Sequence, residues 1–393
     1  MTARLFGIRF SLAYALLMIG SGVQLPFLPL WLGAKSFNVD QIAAVVAGMM
    51  AVRIVGAPLF ATLADRAGNR LTVVRACAGL AAVAYVFLSF VQGFDLILVV
   101  AMAAAWLFAP VFPIIEGFSV DGSAHHGLDY GRLRLWASLS FLTGSMVSGY
   151  LLTLLPTQDT IYLIAGAQCL SALATFVLPP DNGPRREEHH ATALDFREAL
   201  KFLFASRFTI FLAAASLSNS SHGMQYSFSS VLWSSYGFST MTIGVLWAFA
   251  VLAEVALFAF SNRIVAAIGV YRLLCLGLAA AVIRWVGMAF ASDFATSAAL
   301  QMLHAGSFAC AHLALMHFIR INVHPHLRNT AQGLYAALAG GLLLSSVTWA
   351  SGPLYRDFGA KAYLAMALIA LFGLGLALFS LAVSPKAPSR AAA

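Results

Sequence analysis

Three ionisable side chains that could bind a solute or carry a proton lie inside long apolar stretches of the sequence. Glu254, Arg284 and His304 each fall near the middle of an apolar segment, and the three segments follow one another along the chain. An unpaired charge at the centre of a bilayer costs on the order of 3 kcal/mol, so such residues normally pair and face a polar cavity. An acid, a guanidinium and an imidazole at similar depth therefore indicate a transport path.

Further polar groups share a face with these residues. At about 100° per residue, Gln301, His304, Phe308 and His312 fall within an arc of roughly 80° of one helix. The stripe is expected to face the same cavity as Arg284.

A second polar stripe comprises Asn219, His222 and Tyr226, at i, i+3 and i+7 of another apolar segment. Such groups either line a cavity or bond a neighbouring helix, and both interpretations stay open.

The histidines could alternatively bind a metal. His304 and His312 are eight residues apart, His317 lies on the opposite face of the helix, and the sequence has no HExxH pattern. The spacing therefore argues against a metal site, and we expect no cofactor.

The composition places these residues in a membrane protein. Of 393 residues, 61% are hydrophobic and 10% are charged, against about 25% charged in soluble proteins. The basic residues that give the net charge of +8 lie between the apolar segments. Membrane topology accounts for them there, without a nucleic-acid partner. The four cysteines all fall in apolar segments without metal-site spacing. The first apolar run is too long for a signal-peptide core and is expected to remain as the first span.

The pattern predicts an all-α membrane protein with twelve transmembrane helices in two six-helix bundles. The apolar segments lie near 8–32, 41–63, 71–91, 96–118, 133–155, 160–178, 208–233, 241–261, 272–290, 295–319, 330–351 and 361–383. Residues 1–178 would form the first bundle, 179–206 a polar cytoplasmic linker, and 207–393 the second bundle with a short tail. Basic residues at alternate ends of the segments place both termini in the cytoplasm.

The joint after the second segment, ATLADRAGNR, resembles the GxLADRxGRR signature of the major facilitator superfamily. Two residues depart from it, Ala61 and Asn69. The resemblance implies twelve helices and alternating access, with conformational gating by Asp65, Arg66, Gly68 and Arg70.

A second resemblance concerns the fourth and fifth segments. Glu116 and Arg134 stand 18 positions apart in sequence similar to lactose permease, where the matching pair binds substrate. Carried over in the same way, Arg284 and His304 match residues that serve proton coupling in that family, and Glu254 matches an acid that meets both substrate and proton. One departure matters for mechanism: the proton-releasing acid of the permease is replaced here by Ser307, which cannot carry a proton near neutral pH.

Several strings of the second half, such as HGMQYSFSSVLW and QMLHAGSFACAHLALMHFI, resemble the 3-phenylpropionate transporter branch of the superfamily. The resemblance implies a bacterial inner-membrane importer, not an enzyme, that acts as a monomer on a small molecule and protons. Glu254 is the expected proton carrier, with His304 as relay or partner. An aromatic carboxylate would bind Arg134 or Arg284, with contacts from His222, Tyr226 and His312. Further ring contacts are expected from Trp136, Trp247 and Phe308.

The nearest alternative is a sugar or nucleoside symporter. An efflux antiporter is less favoured because the fifth segment lacks the glycine- and proline-rich pattern of drug antiporters. A membrane metalloenzyme is disfavoured by the spacing of the histidines, and a non-transporting scaffold is disfavoured because no signalling domain is evident in the sequence.

Overall fold

The computed structural model describes residues 1–67, 69–180, 206–324 and 327–383. Within these ranges the chain is helical and contains no β-strand. Ten helices of the described residues are long and apolar enough to cross a membrane. The last of them, Thr330–Ala382, contains two antiparallel segments joined by a short 3₁₀ turn at Gly359–Ala362. One further long segment is divided into two helices, Ser206–Ser220 and Gly223–Ser235, which are separated by Ser221 and His222.

These helices form twelve long segments, called spans here. Spans 1 to 6 are Ala3–Leu17 with Ile19–Ala34, Val39–Ala51 with Arg53–Ala67, Arg70–Leu88, Phe94–Phe108 with Val111–His126, Tyr130–Leu154, and Thr160–Val177. Spans 7 to 12 are Ser206–Ser220 with Gly223–Ser235, Thr240–Ala259, Val270–Met288, Phe294–Met302 with Ala305–Cys310 and Ala311–Asn322, Arg328–Tyr335 with Ala336–Leu342 and Leu343–Phe358, and Tyr363–Ala382. The all-α membrane fold expected from the sequence is confirmed, while most of the predicted linker lies outside the described residues.

Short polar residues begin several spans. The side chains of Asn69, Asp129, Ser239 and Asp293 each accept a hydrogen bond from a backbone N–H in the first turn of the following helix. The bond from the Thr296 N–H to Asp293 is 2.9 Å long and holds the pKa of that carboxyl below its usual value. Asn69, one of the two departures from the signature, thus acts as the N-cap of span 3.

Local departures from α-helical geometry occur within the spans. Span 4 is interrupted at Ala109 and Pro110, because proline lacks the backbone N–H that an α-helix requires. Spans 10 and 11 each contain a π-helical turn, at Ala305–Cys310 and Ala336–Leu342. Such turns often accompany functional sites because they change which side chains share a helix face.

Spans 1–6 and spans 7–12 touch closely at one end of the molecule, which we call the closed end. There, Thr240 donates to the carbonyl of Gly149 over 2.8 Å, and a Cβ added at Gly244 would overlap the carbonyl oxygen of Ser145. These contacts join span 5 to span 8. Span 2 meets span 11 through an ion pair between Asp40 and Arg356, 2.5 Å long.

The opposite end, at which span 1 begins and span 12 ends, is more open. The side chains of Glu116, in the second helix of span 4, and of Arg134, one turn after the start of span 5, are 35% and 34% exposed. Arg134 is in electrostatic range of Glu254 of the other half. Because partly exposed groups of the two halves lie this near one another, we infer that a cleft between the halves opens at this end.

Candidate functional site

Arg284 on span 9 lies at the centre of a buried polar cluster. Its Nη1 is 2.9 Å from His304 Nδ1 and 3.0 Å from Ser307 Oγ, and its Nη2 is 2.5 Å from Gln301 Oε1. The guanidinium also packs on the ring of Trp285, with 4.5 Å between Cζ and the ring centroid. Full burial of this cation is compatible with folding because several acceptors surround it.

The contacts of Arg284 determine the proton position on His304. A guanidinium has donors only, so His304 Nδ1 must accept from Arg284 and cannot carry a hydrogen itself. The hydrogen of the neutral ring is then on Nε2, which lies 3.7 Å from Glu254 Oε2. His304 is therefore a neutral imidazole in this arrangement, with its N–H directed at the carboxylate.

His222 is neutral for a similar reason. Its Nδ1 lies 3.1 Å from the carbonyl oxygen of Ser218 and 3.2 Å from that of Asn219, so Nδ1 carries the hydrogen. Its Nε2 is left to accept from Arg284, at 3.3 Å. The ring sits where span 7 is interrupted, which exposes these carbonyls to it.

Ser307 occupies the place where the resemblance to lactose permease would put an acid. Its hydroxyl lies 3.0 Å from Arg284 Nη1 and 3.2 Å from His222 Nε2. The Arg284 guanidinium is thus met by His222, His304 and neutral oxygens at this position, with no carboxylate among the described contacts.

Glu254 on span 8 borders both the cluster and the cleft. Its side chain is 24% exposed, whereas that of His304 is 10% exposed. A carboxyl that touches a neutral imidazole on one side and the cleft on the other can exchange a proton with solvent. Glu254 is the acid best placed for this among the described residues of the cluster.

Glu116 and Arg134 form a second polar group, on the other side of the cleft. Arg134 Nε donates to Glu116 Oε1 over 3.1 Å, and the Tyr130 hydroxyl donates to the same oxygen. The Arg134 guanidinium lies over the ring of Phe112, 4.8 Å from its centroid. The separation of 18 positions thus corresponds to a direct ion pair between spans 4 and 5.

Aromatic side chains fill the space between these groups. His304, Phe308 and His312 stack along span 10, with 5.3 Å and then 6.0 Å between ring centroids. Tyr226 lies parallel to Trp247 at 6.3 Å, and Phe308 meets His222 edge-on at 6.1 Å. Three of these rings, those of Tyr226, His304 and Phe308, contact the ring of His222.

Two residues of the predicted set have other surroundings. His312 lies beside Tyr335 and in electrostatic range of Glu116 and Arg134, so it is directed at the second polar group. Trp136 lines a groove between spans 1 and 5, next to Ser11 and Ala15.

The signature joint is described in part. Arg70 pairs with Asp121 of span 4 over 3.2 Å and lies over the ring of Phe118, 5.6 Å away. Gly68 and the side chains of Asp65 and Arg66 lie outside the described residues.

Arg53 was not among the site residues expected from the sequence. It begins the second helix of span 2, after an interruption at Val52, and its side chain is solvent-accessible although protein surrounds it. It interacts electrostatically with Tyr85 of span 3 and Tyr226 of span 7. A basic residue in the middle of an apolar segment was the signal that could have found it.

Comparison with known proteins gives one family. Residues 8–365 match the model of the MFS_1 like family. A protein of Escherichia coli (strain K12) named a probable 3-phenylpropionic acid transporter is 27% identical over 364 residues, 92% of this chain and 94% of its own length. A maltose permease of Geobacillus stearothermophilus is 23% identical over 335 residues, 85% of this chain and 84% of its own.

Solved structures share the fold. The nucleoside transporter NupG superposes with a TM-score of 0.81 at 16% identity, covering 96% of this chain and 98% of its own. A bacterial homologue of the human lysosomal transporter Spinster, in an inward-facing and unoccupied conformation, gives 0.69 at 14% identity, covering 96% of both chains. At these identities the likeness concerns the arrangement of helices.

Proposed function

Because the chain belongs to the MFS_1 like family and its named relatives are transporters and not enzymes, we propose that it imports a small organic solute together with protons. The membrane-spanning fold and a cleft between two helical halves support this proposal. The two halves, residues 1–178 and 207–393, would rock about the cleft, with the Arg70 joint as part of the gate.

The position of Glu254 carries the proton-coupling part of the proposal. Its carboxyl lies 3.7 Å from the N–H face of a neutral His304 and is open to the cleft. Arg284 holds His304 neutral, so a proton delivered to this pair resides on Glu254. We assign proton carriage to Glu254, with His304 as its neutral partner and Arg284 in a positioning role.

We propose an aromatic monocarboxylate as the substrate. The relative named as a probable 3-phenylpropionic acid transporter matches almost the whole chain. The cleft combines cationic groups with the rings of Tyr226 and Phe308, which suits a small molecule with one carboxylate and one ring.

A sugar or a nucleoside is the second candidate. The Glu116–Arg134 pair, joined by the Tyr130 hydroxyl, offers donors and acceptors of the kind that bind hydroxyl groups. The relative named as a maltose permease adds support.

The remaining features follow the same proposal. Basic residues at the open end support an orientation with both termini in the cytoplasm, for a protein of a bacterial inner membrane. In that orientation the cleft faces the cytoplasm. Each half supplies one polar group to a single cleft, which supports a transporter that works as a monomer.

The test is uptake of labelled 3-phenylpropionate into vesicles that contain the protein, under an inward proton gradient. We expect wild type to accumulate the acid and a protonophore to abolish accumulation. Glu254→Gln keeps the shape of the side chain but cannot cycle a proton, so it should exchange external for internal substrate without accumulating it. Asp95→Asn, a carboxyl outside the cleft, is the matched control and should behave as wild type.

Accumulation by Glu254→Gln would show that another group carries the proton. An absence of 3-phenylpropionate uptake by wild type would overturn the aromatic-acid assignment, and labelled sugars and nucleosides would then be screened in the same vesicles.

A further inference from the structure

We propose that Arg53 is the group that binds the carboxylate of the substrate, in place of Arg134 or Arg284. This inference deepens the proposed function and rests on it, because it names the residue that selects an anionic solute. The argument depends on where Arg53 lies and on what the other arginines of the cleft already contact.

Arg53 is located at the centre of the molecule and faces the cleft. It follows the interruption of span 2 at Val52, about midway between the closed end at Asp40 and the signature joint. Its electrostatic neighbours come from both halves, Tyr85 from span 3 and Tyr226 from span 7. Met50 and Ile54, its neighbours on the helix, contact Thr348 and Gly341 of span 11, so this face of span 2 meets the other half of the molecule and not lipid.

The other two arginines are already occupied. Arg284 is fully buried and donates to His304, Ser307 and Gln301. Arg134 pairs with Glu116. Arg284 is fully buried behind these acceptors, and the Glu116 carboxylate balances the charge of Arg134, so neither offers an uncompensated guanidinium to a solute.

Arg53, in contrast, has neither a hydrogen bond nor an ion pair within the part of the chain that the structure describes. Tyr85, its neighbour in span 3, instead donates its hydroxyl hydrogen to Gln24 over 2.6 Å. A cation at the middle of a membrane protein is expected to meet an anion in at least one state of the working cycle. A guanidinium matches a carboxylate with two parallel hydrogen bonds.

The surroundings of Arg53 also favour an aromatic acid. Tyr226 is in electrostatic range of Glu254, Arg284 and Arg53, and its ring lies parallel to Trp247 at 6.3 Å. A carboxylate on Arg53 would place the rest of the solute beside Tyr226 and within reach of the Glu254 cluster. Bound anion and proton carrier would then share the same part of the cleft.

The experiment compares an acid with its uncharged analogue. Purified protein is titrated with 3-phenylpropionate and with 3-phenylpropanamide, which has the same size and ring but no charge, and thermal stabilisation gives the affinity of each. We expect wild type to bind the acid at least tenfold more tightly than the amide. Arg53→Gln should weaken the acid about 10- to 100-fold and leave the amide unchanged, since a hydrogen bond to a charged group is lost.

Two further variants complete the comparison. Arg53→Lys keeps the charge but not the paired donors, and should bind the acid with intermediate affinity. Arg75→Gln is the matched control: Arg75 donates to the carbonyl of Thr175 and lies over the Phe176 ring on span 6, away from the cleft. It should bind both compounds as wild type does.

Arg53→Gln with wild-type affinity for the acid would overturn the assignment and leave the proposed function intact. Equal affinity of wild type for the acid and the amide would also overturn the assignment of Arg53. Because this comparison uses wild type alone, it tests the assignment even if Arg53→Gln fails to fold. Wild type that 3-phenylpropionate does not stabilise would overturn both this assignment and the aromatic-acid substrate.

Discussion

At the scale of single residues, hydrogen-bond direction decides the chemistry of the cluster. Arg284 can only donate, so His304 and His222 accept from it through Nδ1 and Nε2 respectively. A second proton on either ring would place an N–H against the guanidinium. Both imidazoles therefore remain neutral, although they lie near Glu254, the acid that we propose to be the proton carrier.

This assignment makes a prediction about His304. A glutamine there can still accept from Arg284 and present an N–H toward Glu254, as the neutral imidazole does. We expect His304→Gln to accumulate substrate under a proton gradient at a rate within about tenfold of wild type. His304→Ala removes one acceptor of the buried Arg284 guanidinium, and a hydrogen bond to a charged group contributes about 1.5–3 kcal/mol, so this variant should be impaired more than tenfold.

The measurement is the initial rate of uptake into vesicles under a fixed proton gradient, with substrate exchange as the control for binding. If His304→Gln exchanged substrate but lost accumulation entirely, as we expect of Glu254→Gln, the imidazole itself would have to carry the proton.

At the scale of elements, small residues permit the contact that closes one end of the cleft. Span 5 and span 8 approach so closely that a Cβ on Gly149 would lie 2.6 Å from the carbonyl oxygen of Thr240, and one on Gly244 would overlap Ser145. Without side chains the two backbones pack directly. The Asp40–Arg356 ion pair at the same end is exposed, and exposed pairs contribute only about 0–1 kcal/mol, so packing dominates the closure.

We therefore expect Gly244→Val to open the closed end. The added methyl groups cannot fit against Ser145, and overpacking of this kind costs about 1–3 kcal/mol, which shifts the equilibrium by about 5- to 150-fold. The readout is maleimide labelling of Ser351→Cys, a buried position of span 11 at the closed end, where the adjacent Gly352 packs on Asp40 of span 2, in a background without the four native cysteines.

Labelling should be faster with Gly244→Val than without it. Gly79→Val on span 3 is the control, because a Cβ there meets no atom within 4 Å, and it should leave the labelling rate unchanged. Equal labelling rates for the two variants would show that this contact does not limit opening.

At the scale of the whole molecule, the charges of the cleft bear on stoichiometry. Five charged side chains have been identified in or beside it: Arg53, Arg134, Arg284, Glu116 and Glu254. With neutral imidazoles they leave one net positive charge. A monocarboxylate on Arg53 and a proton on Glu254 add opposite charges, so the loaded and empty clefts carry the same net charge.

One proton per monocarboxylate then makes transport electroneutral. We expect a pH gradient of one unit to support about tenfold accumulation in vesicles, since each unit corresponds to 1.36 kcal/mol. A membrane potential of 100 mV, imposed by potassium and valinomycin at equal pH, should cause none. If one net charge moved per cycle, that potential would supply about 2.3 kcal/mol and roughly 50-fold accumulation, which would exclude this stoichiometry.

The sequence by itself determined the fold class and several members of the site. Apolar segments of spanning length repeat along the chain because a bilayer requires backbone bonds to be satisfied within each helix. Glu254, Arg284 and His304 could be selected one by one, because a polar residue in such a segment is costly and needs a partner. The stripe on span 10 followed from helical periodicity, and the structure stacks His304, Phe308 and His312 in that order.

Only the tertiary structure decided which of these residues meet. The contacts of Ser307 and His222 with Arg284 join three spans that are far apart in sequence, and they depend on the interruption of span 7. Arg53 became a candidate only when the partners of Arg134 and Arg284 were known. Periodicity reports the face of a helix on which a residue lies, whereas the packing of the helices determines what that face contacts and which charge is left without a partner.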